Sequence, residues 1–207
     1  MIYRNYVKRL LDIVLSGCAI LALSPVYLIM AILVAVKLGR PILFCQQRPG
    51  KNEEIFQMYK FRSMNDKKDE NGELLPDEER LTSFGKKLRA TSLDELPELI
   101  NIFIGNMSIV GPRPLLVKYL PYYTQEEKKR HCLRPGLTGL AQVNGRNSLI
   151  WEERFKHDVY YVENCSFWLD CKIIWMTIGK VLKKSDTLSG AEQTVEDFDV
   201  YRMKSKR

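Results

Sequence analysis

The chain has 207 residues, 45% of them apolar and 28% charged, with a net charge of +7. That length carries one compact domain plus an attachment element, and the apolar share argues against a disordered chain. Two histidines and five scattered cysteines (Cys18, Cys45, Cys132, Cys165 and Cys171) argue against a histidine-based metal site or a zinc framework, and fit free thiols in a reducing compartment.

The positive excess favours an anionic partner: nucleic acid, anionic lipid or a phosphorylated substrate. Residues 13–36 carry no charged side chain. As a straight helix they would extend about 36 Å, enough to cross a hydrocarbon core of about 30 Å. Ser24-Pro25 lies near the middle, and proline there removes a backbone donor and predicts a kink. Ser24 is placed to satisfy a carbonyl that the proline frees. Both flanks are basic, with Arg4, Lys8 and Arg9 before and Lys37, Arg40, Arg48 and Lys51 after. Positive charge on both sides favours a helix that enters, bends at Ser24-Pro25 and leaves on the same face. A kinked single span and a buried soluble helix are the alternatives.

From Pro41 the composition is that of a soluble domain, so the expected division is 1–40 for the membrane helix and 41–207 for a cytoplasmic domain. Residues 42–44 and 55–61 read as strands separated by a polar turn at 46–54. Residues 65–80 form a charged loop, 81–89 a short basic helix, and 98–104 a second helix ended by Gly105-Asn106. Residues 109–114 read as a rigid turn and the glycine-rich 133–146 as a loop. Residues 148–164 are expected to be helical. Residues 172–184 form an amphipathic helix that either packs on the core or lies in a lipid interface. The tyrosine-rich stretch after Leu116 is a second interfacial candidate.

The strongest local signal for chemistry is Ser92-Leu93-Asp94-Glu95-Leu96-Pro97. At a helix start, amides and the helix dipole favour negative charge, and two carboxylates there suit a nucleophile and a Mg²⁺ ligand. The competing structural reading is a capping box between Ser92 and Glu95. Lys60, Arg62, Arg89, Arg113, Arg134 and Arg146 all fall near turns or helix ends, where an arginine fork matches phosphate oxygens. Arg113 lies between Pro112 and Pro114, which restrict its backbone. The glycines of 134–146 permit close approach of backbone to a ligand, yet form neither a dinucleotide-binding nor a Walker motif. Asp158 is a further acidic candidate.

Taken together, Ser24-Pro25, Tyr59-Lys60-Phe61-Arg62-Ser63-Met64, the Asp94-Glu95 motif, Gly111-Pro112-Arg113-Pro114 and the Arg134–Arg146 loop resemble the small monotopic bacterial phosphoglycosyl transferases. Among these, the chain is most similar to the transferases that start protein N-glycosylation. The resemblance implies an α/β fold, helix-rich with a small sheet, carrying a re-entrant membrane helix and interfacial amphipathic helices. It implies the cytoplasmic face of a bacterial inner membrane. It implies Asp94 as nucleophile on the β-phosphate of a UDP-sugar, with Glu95 beside it and Mg²⁺ bound at the dyad.

 Polyprenyl phosphate then takes the phosphosugar and UMP is the other product. Lys60, Arg62, Arg89, Arg113, Arg134, Arg146 and Asp158 are the candidate substrate-binding residues. The implied partners are a UDP-sugar of the N-acetylated amino type, polyprenyl phosphate and membrane phospholipid, with no nucleic acid.

Overall fold

A computed structural model describes residues 2–145, 149–183 and 196–204. A turn of wider helix at Tyr3–Val7 leads into α1 (Lys8–Ala22), and α2 (Ser24–Leu38) follows after Leu23 alone. The stretch Tyr3–Ala22 and α2 are inclined by 64°. The bend follows from Pro25, which has no N–H for the carbonyl of Leu21 four residues back. The Ser24 hydroxyl donates to that carbonyl instead, at 2.8 Å. Among the described residues no single helix is long and apolar enough to cross a membrane, but this bent pair has the composition for it.

One face of the pair is packed and the other is not. Gly17 lies against the ring of Phe103, and Ala19, Ile20 and Leu23 join a core of Phe56, Met58, Leu99, Ile102 and Met107. Met30 and Val34 of α2 pack with Phe61 and Leu88. The opposite side leaves Leu10, Val14, Leu21, Leu28, Ile32 and Val36 exposed. The few polar residues of α1 face inward. Asp12 accepts from Ile109 N–H at 2.9 Å and Ser108 Oγ at 3.1 Å, and Lys8 pairs with buried Asp170 at 2.6 Å.

Beyond the pair, β1 (Leu43–Pro49) and β2 (Ile55–Phe61) form an antiparallel hairpin, with Leu43 opposite Phe61 and Pro49 opposite Ile55. The turn is therefore shorter than the polar composition of 46–54 predicts, because Gln46 to Pro49 already pair as strand. The charged segment 65–80 is not wholly irregular: it holds a bridge between Lys68 and Leu74 and ends in the short α3 (Asp77–Arg80). Next come α4 (Ser83–Ala90), N-capped by Thr82, and α5 (Glu98–Ile104), which stops at Gly105 with φ 106°. A positive φ of that size suits glycine, so the sequence reading of this helix end holds.

Strand β3 (Ser108–Val110) pairs in parallel with β4 (Gly136–Thr138). The expected glycine-rich loop is thus a strand followed by α7 (Leu140–Asn144), after the intervening single-turn α6 (Gln125–Lys128). Its glycines serve backbone-to-backbone contact: a Cβ on Gly136 would lie 2.1 Å from the nitrogen of Gly111. The last long helices are α8 (Trp151–Glu163) and α9 (Phe167–Lys183), and α10 (Phe198–Lys204) closes the described chain.

The tyrosine-rich stretch is core rather than surface. Tyr119 and Tyr123 are buried with Trp151, Phe155 and Phe198. Helix α9 packs one face on the core, as one of its two expected readings had it, and leaves another face open. Ile173 is fully buried against Tyr161 and Val162, whereas Trp168 and Trp175 are 79% and 77% exposed. Their spacing of seven residues puts both on one outward stripe.

Candidate active site

A 3₁₀ turn at Leu93–Glu95 carries the two adjacent carboxylates. Ser92 enters it in the left-handed region, with φ 56°, and its side chain caps nothing. The capping box proposed for Ser92 and Glu95 does not form, because Glu95 turns toward cations. The box of this type in the described chain is Thr124 with Glu127. Tyr27 of α2 donates its hydroxyl to Leu96 C=O at 2.5 Å, so the bent helix pair buttresses the turn directly.

Glu95 Oε1 accepts from Lys60 Nζ at 2.7 Å and from Arg113 Nη2 at 2.9 Å. Lys60 Nζ also lies 3.1 Å from Glu98 Oε1, the first residue of α5. Burial by itself would push the Glu95 carboxyl up, but Arg113 and Lys60 outweigh it and hold the group down to about 2. Glu98 goes the other way: burial dominates and raises it, with the neighbouring Glu95 charge adding to the rise.

Asp94 is buried, at 8% exposure, and forms no ion pair among the described residues. Burial raises its carboxyl above the usual range, Lys60 and Arg89 pull it down, and Glu95 pushes it up. The two carboxylates are neighbours in sequence and opposites in environment. One is neutralised by two cations, and the other is left with its charge unpaired.

Fully buried Asn101 locks this arrangement. Its Nδ2 donates to Gln57 C=O at 2.7 Å and its Oδ1 accepts from Tyr59 N–H at 3.0 Å, which fixes α5 against β2 beside Lys60. A small pocket opens next to the cluster, lined by Arg48, Met58, Lys60, Glu98, Arg113 and Leu115. Burial, then the charge of Arg113, lowers the Arg48 guanidinium to about 10.

Of the predicted cations, Lys60 and Arg113 meet at Glu95, and Arg89 stands close enough to act on Asp94 while donating to Ser63 Oγ at 2.9 Å. Others are spent elsewhere. Arg62 donates to the carbonyls of Leu38 and Arg40 and pairs with Asp66 at 2.6 Å, so it caps the end of α2. Arg134 donates to Gly105 C=O at 2.7 Å, at the end of α5 remote from the dyad. Asp158 is 2% exposed and bound to Arg130. Arg146 lies outside the described residues. Glu98, Arg48, Asn101 and Arg130 were not singled out by sequence as site residues. For Glu98 a signal was present: it lies four residues after Asp94, at the first position of the helix that follows the dyad.

The family model for bacterial sugar transferases matches residues 3–184, nearly the whole described chain. The chain belongs to the bacterial sugar transferase family. An uncharacterised sugar transferase of Bacillus subtilis is 46% identical over 191 residues, covering 92% of this chain and 95% of that protein. The UDP-glucose:undecaprenyl-phosphate glucose-1-phosphate transferase of Klebsiella pneumoniae is 39% identical over 183 residues, 84% of this sugar transferase and 39% of that protein. A UDP-N-acetylgalactosamine-undecaprenyl-phosphate N-acetylgalactosaminephosphotransferase of Aeromonas hydrophila is 37% identical over 185 residues, 86% of this chain and 44% of its own length. The chain thus spans nearly all of the Bacillus relative and about two fifths of the other two.

Proposed function

We propose that this chain transfers a sugar 1-phosphate from a UDP-sugar to polyprenyl phosphate, through a phosphosugar held on Asp94. The observation that carries the reading is the unequal pair: a buried Asp94 with no ion pair among the described residues, beside a Glu95 clamped by Lys60 and Arg113. An unpaired buried carboxylate is reactive because little solvation or pairing must be stripped from it before attack. The likeness to transferases named for UDP-sugars and undecaprenyl phosphate supports the substrate classes.

In the first step an Asp94 oxygen attacks the β-phosphorus of the UDP-sugar. The bond from that phosphorus to the bridging oxygen breaks, and UMP leaves with the electron pair. In the second step an oxygen of polyprenyl phosphate attacks the same phosphorus. The bond to Asp94 breaks, the carboxylate is restored, and a polyprenyl diphosphate sugar departs. Lys60, Arg89 and Arg113 surround the place where phosphoryl charge would develop, the arrangement that stabilises such transfers.

Asp94 and Glu95 are the residues that would hold Mg²⁺. Glu95 Oε1 is taken by cations, and no group of three His, Cys, Asp or Glu forms among the described residues. An ion there would have to be completed by substrate phosphate oxygens and water, as Mg²⁺ commonly is. When bound it would offset charge on the diphosphate.

The exposed apolar side of α1 and α2, with Trp168 and Trp175 of α9, supports a seat in one leaflet at the cytoplasmic face of a bacterial inner membrane. There an aqueous nucleotide and a lipid phosphate can meet. In intact cells, reagents applied from outside should label a cysteine or tag at neither end of the chain. Labelling of one end alone would replace the re-entrant arrangement with a span.

The decisive experiment supplies a panel of UDP-sugars without lipid acceptor and weighs the intact protein after short incubation. An adduct of sugar-phosphate mass is expected on wild type and absent from Asp94→Asn. The increment identifies which sugar is accepted, with an N-acetylated amino sugar the proposed one. Full turnover by a wild type that never gains mass would overturn the covalent route.

A further inference from the structure

Arg130 is 3% exposed and makes no use of its charge at the surface. It follows α6 in a 3₁₀ turn at Lys129–Cys132. Its Nε and Nη2 donate to Asp158 Oδ2 at 3.0 and 2.8 Å, and the rings of Tyr123 and Phe155 flank it at 5.7 and 5.8 Å. A buried ion pair contributes little to stability compared with an apolar filling of the same space, so its presence asks for another use. That use is visible at Nη2, which also donates to the carbonyl of Arg113 at 2.7 Å.

Residues 112–114 are two prolines around one arginine, and prolines supply no N–H to hold the segment. It is held through its carbonyls. Pro112 C=O accepts from Gly136 N–H at 3.0 Å, Arg113 C=O from Arg130, and Pro114 C=O more loosely from Arg48 Nη1 at 3.4 Å. The middle bond fixes the peptide from which the Arg113 side chain departs toward Glu95.

We infer that Asp158 and Arg130 form a positioning pair that sets the aim of Arg113 at Glu95. Asp158 orients the guanidinium, the guanidinium holds the Arg113 carbonyl, and Arg113 delivers its charge to the dyad. Neither member of the pair touches substrate. This assigns Asp158 a role other than the substrate contact expected from the sequence, and it rests on the functional reading above.

A double-mutant cycle on the purified full chain tests it, with UMP release as the readout. Arg130→Lys keeps the charge and loses the fork, and should lower kcat/KM by roughly 10- to 100-fold, the scale of a small misplacement. In an Arg113→Ala background the same change should cost almost nothing, because there is no longer a side chain to aim. A global packing defect would instead slow both backgrounds by the same factor, and that result overturns the inference. So does a folded Arg130→Lys with full activity. If Arg130→Lys fails to fold, Asp158→Asn goes through the same cycle with the same two outcomes. A wild type without turnover sinks the functional reading, and this inference with it; turnover with an undiminished second penalty sinks this inference alone.

Discussion

The two ends of α5 use the same kinds of residue for opposite purposes. At its start, Lys60 and Arg113 point at carboxylates, and Glu95 and Glu98 take their charge. At its finish, Arg9 donates to Ile102 C=O at 2.6 Å and Phe103 C=O at 2.8 Å, while Arg134 donates to Gly105 C=O. The last carbonyls of a helix have no partner within it and carry its negative end, so cations there close the helix off. Cations at the start face the positive end and are held only by the acids clustered there. On the proposed function it is these acid-paired cations, and not the carbonyl-bound ones, that meet the phosphates.

The sharpest way to break this comparison is to truncate one arginine from each end. Arg113→Ala should lower kcat/KM by about 10²- to 10³-fold, the usual cost of losing a charge-stabilising donor. Arg134→Ala should leave kcat/KM within a few-fold and lower the melting temperature, since a carbonyl loses its partner. Equal losses of activity from both would show that the far end belongs to the site after all.

The same comparison explains what could be read from the sequence. The hairpin strands, the end of α5 at Gly105 and the bend at Ser24-Pro25 follow from local rules, and each forms near its expected place. The dyad was legible because two adjacent acids followed by Leu-Pro stand out. The arginines were not separable, because Arg62, Arg113 and Arg134 all sit at element ends. Only the fold decides whether a carbonyl or a carboxylate comes within reach. The β4 strand was hidden for a related reason: glycine at Gly136 and Gly139 reads as loop, but here it lets two backbones touch. Arg130 carried no signal at all, being one more cation in a basic stretch.

Within the start of α5 the comparison narrows to two neighbouring acids, where the expected effects are smaller and differ in sign. Glu95 is held at about 2, below its ordinary 4.5, so its ionised form adds stability. That contribution is complete above pH 4.5 and fades as pH falls toward 2. Asp94 is raised above its ordinary 3.8, so its protonated form is the favoured one, and that advantage is lost as pH climbs through the raised value. At pH 7, Glu95→Gln should therefore melt below wild type and Asp94→Asn above it, each by a few degrees. On acidification the Asp94→Asn difference should vanish first, as the wild-type carboxyl takes up its proton, and the Glu95→Gln difference only at lower pH. Calorimetry of both variants from pH 7 down reads this directly. Two shifts of the same sign would mean that the acids share one environment, and the distinction between the proposed nucleophile and its clamped neighbour would be lost.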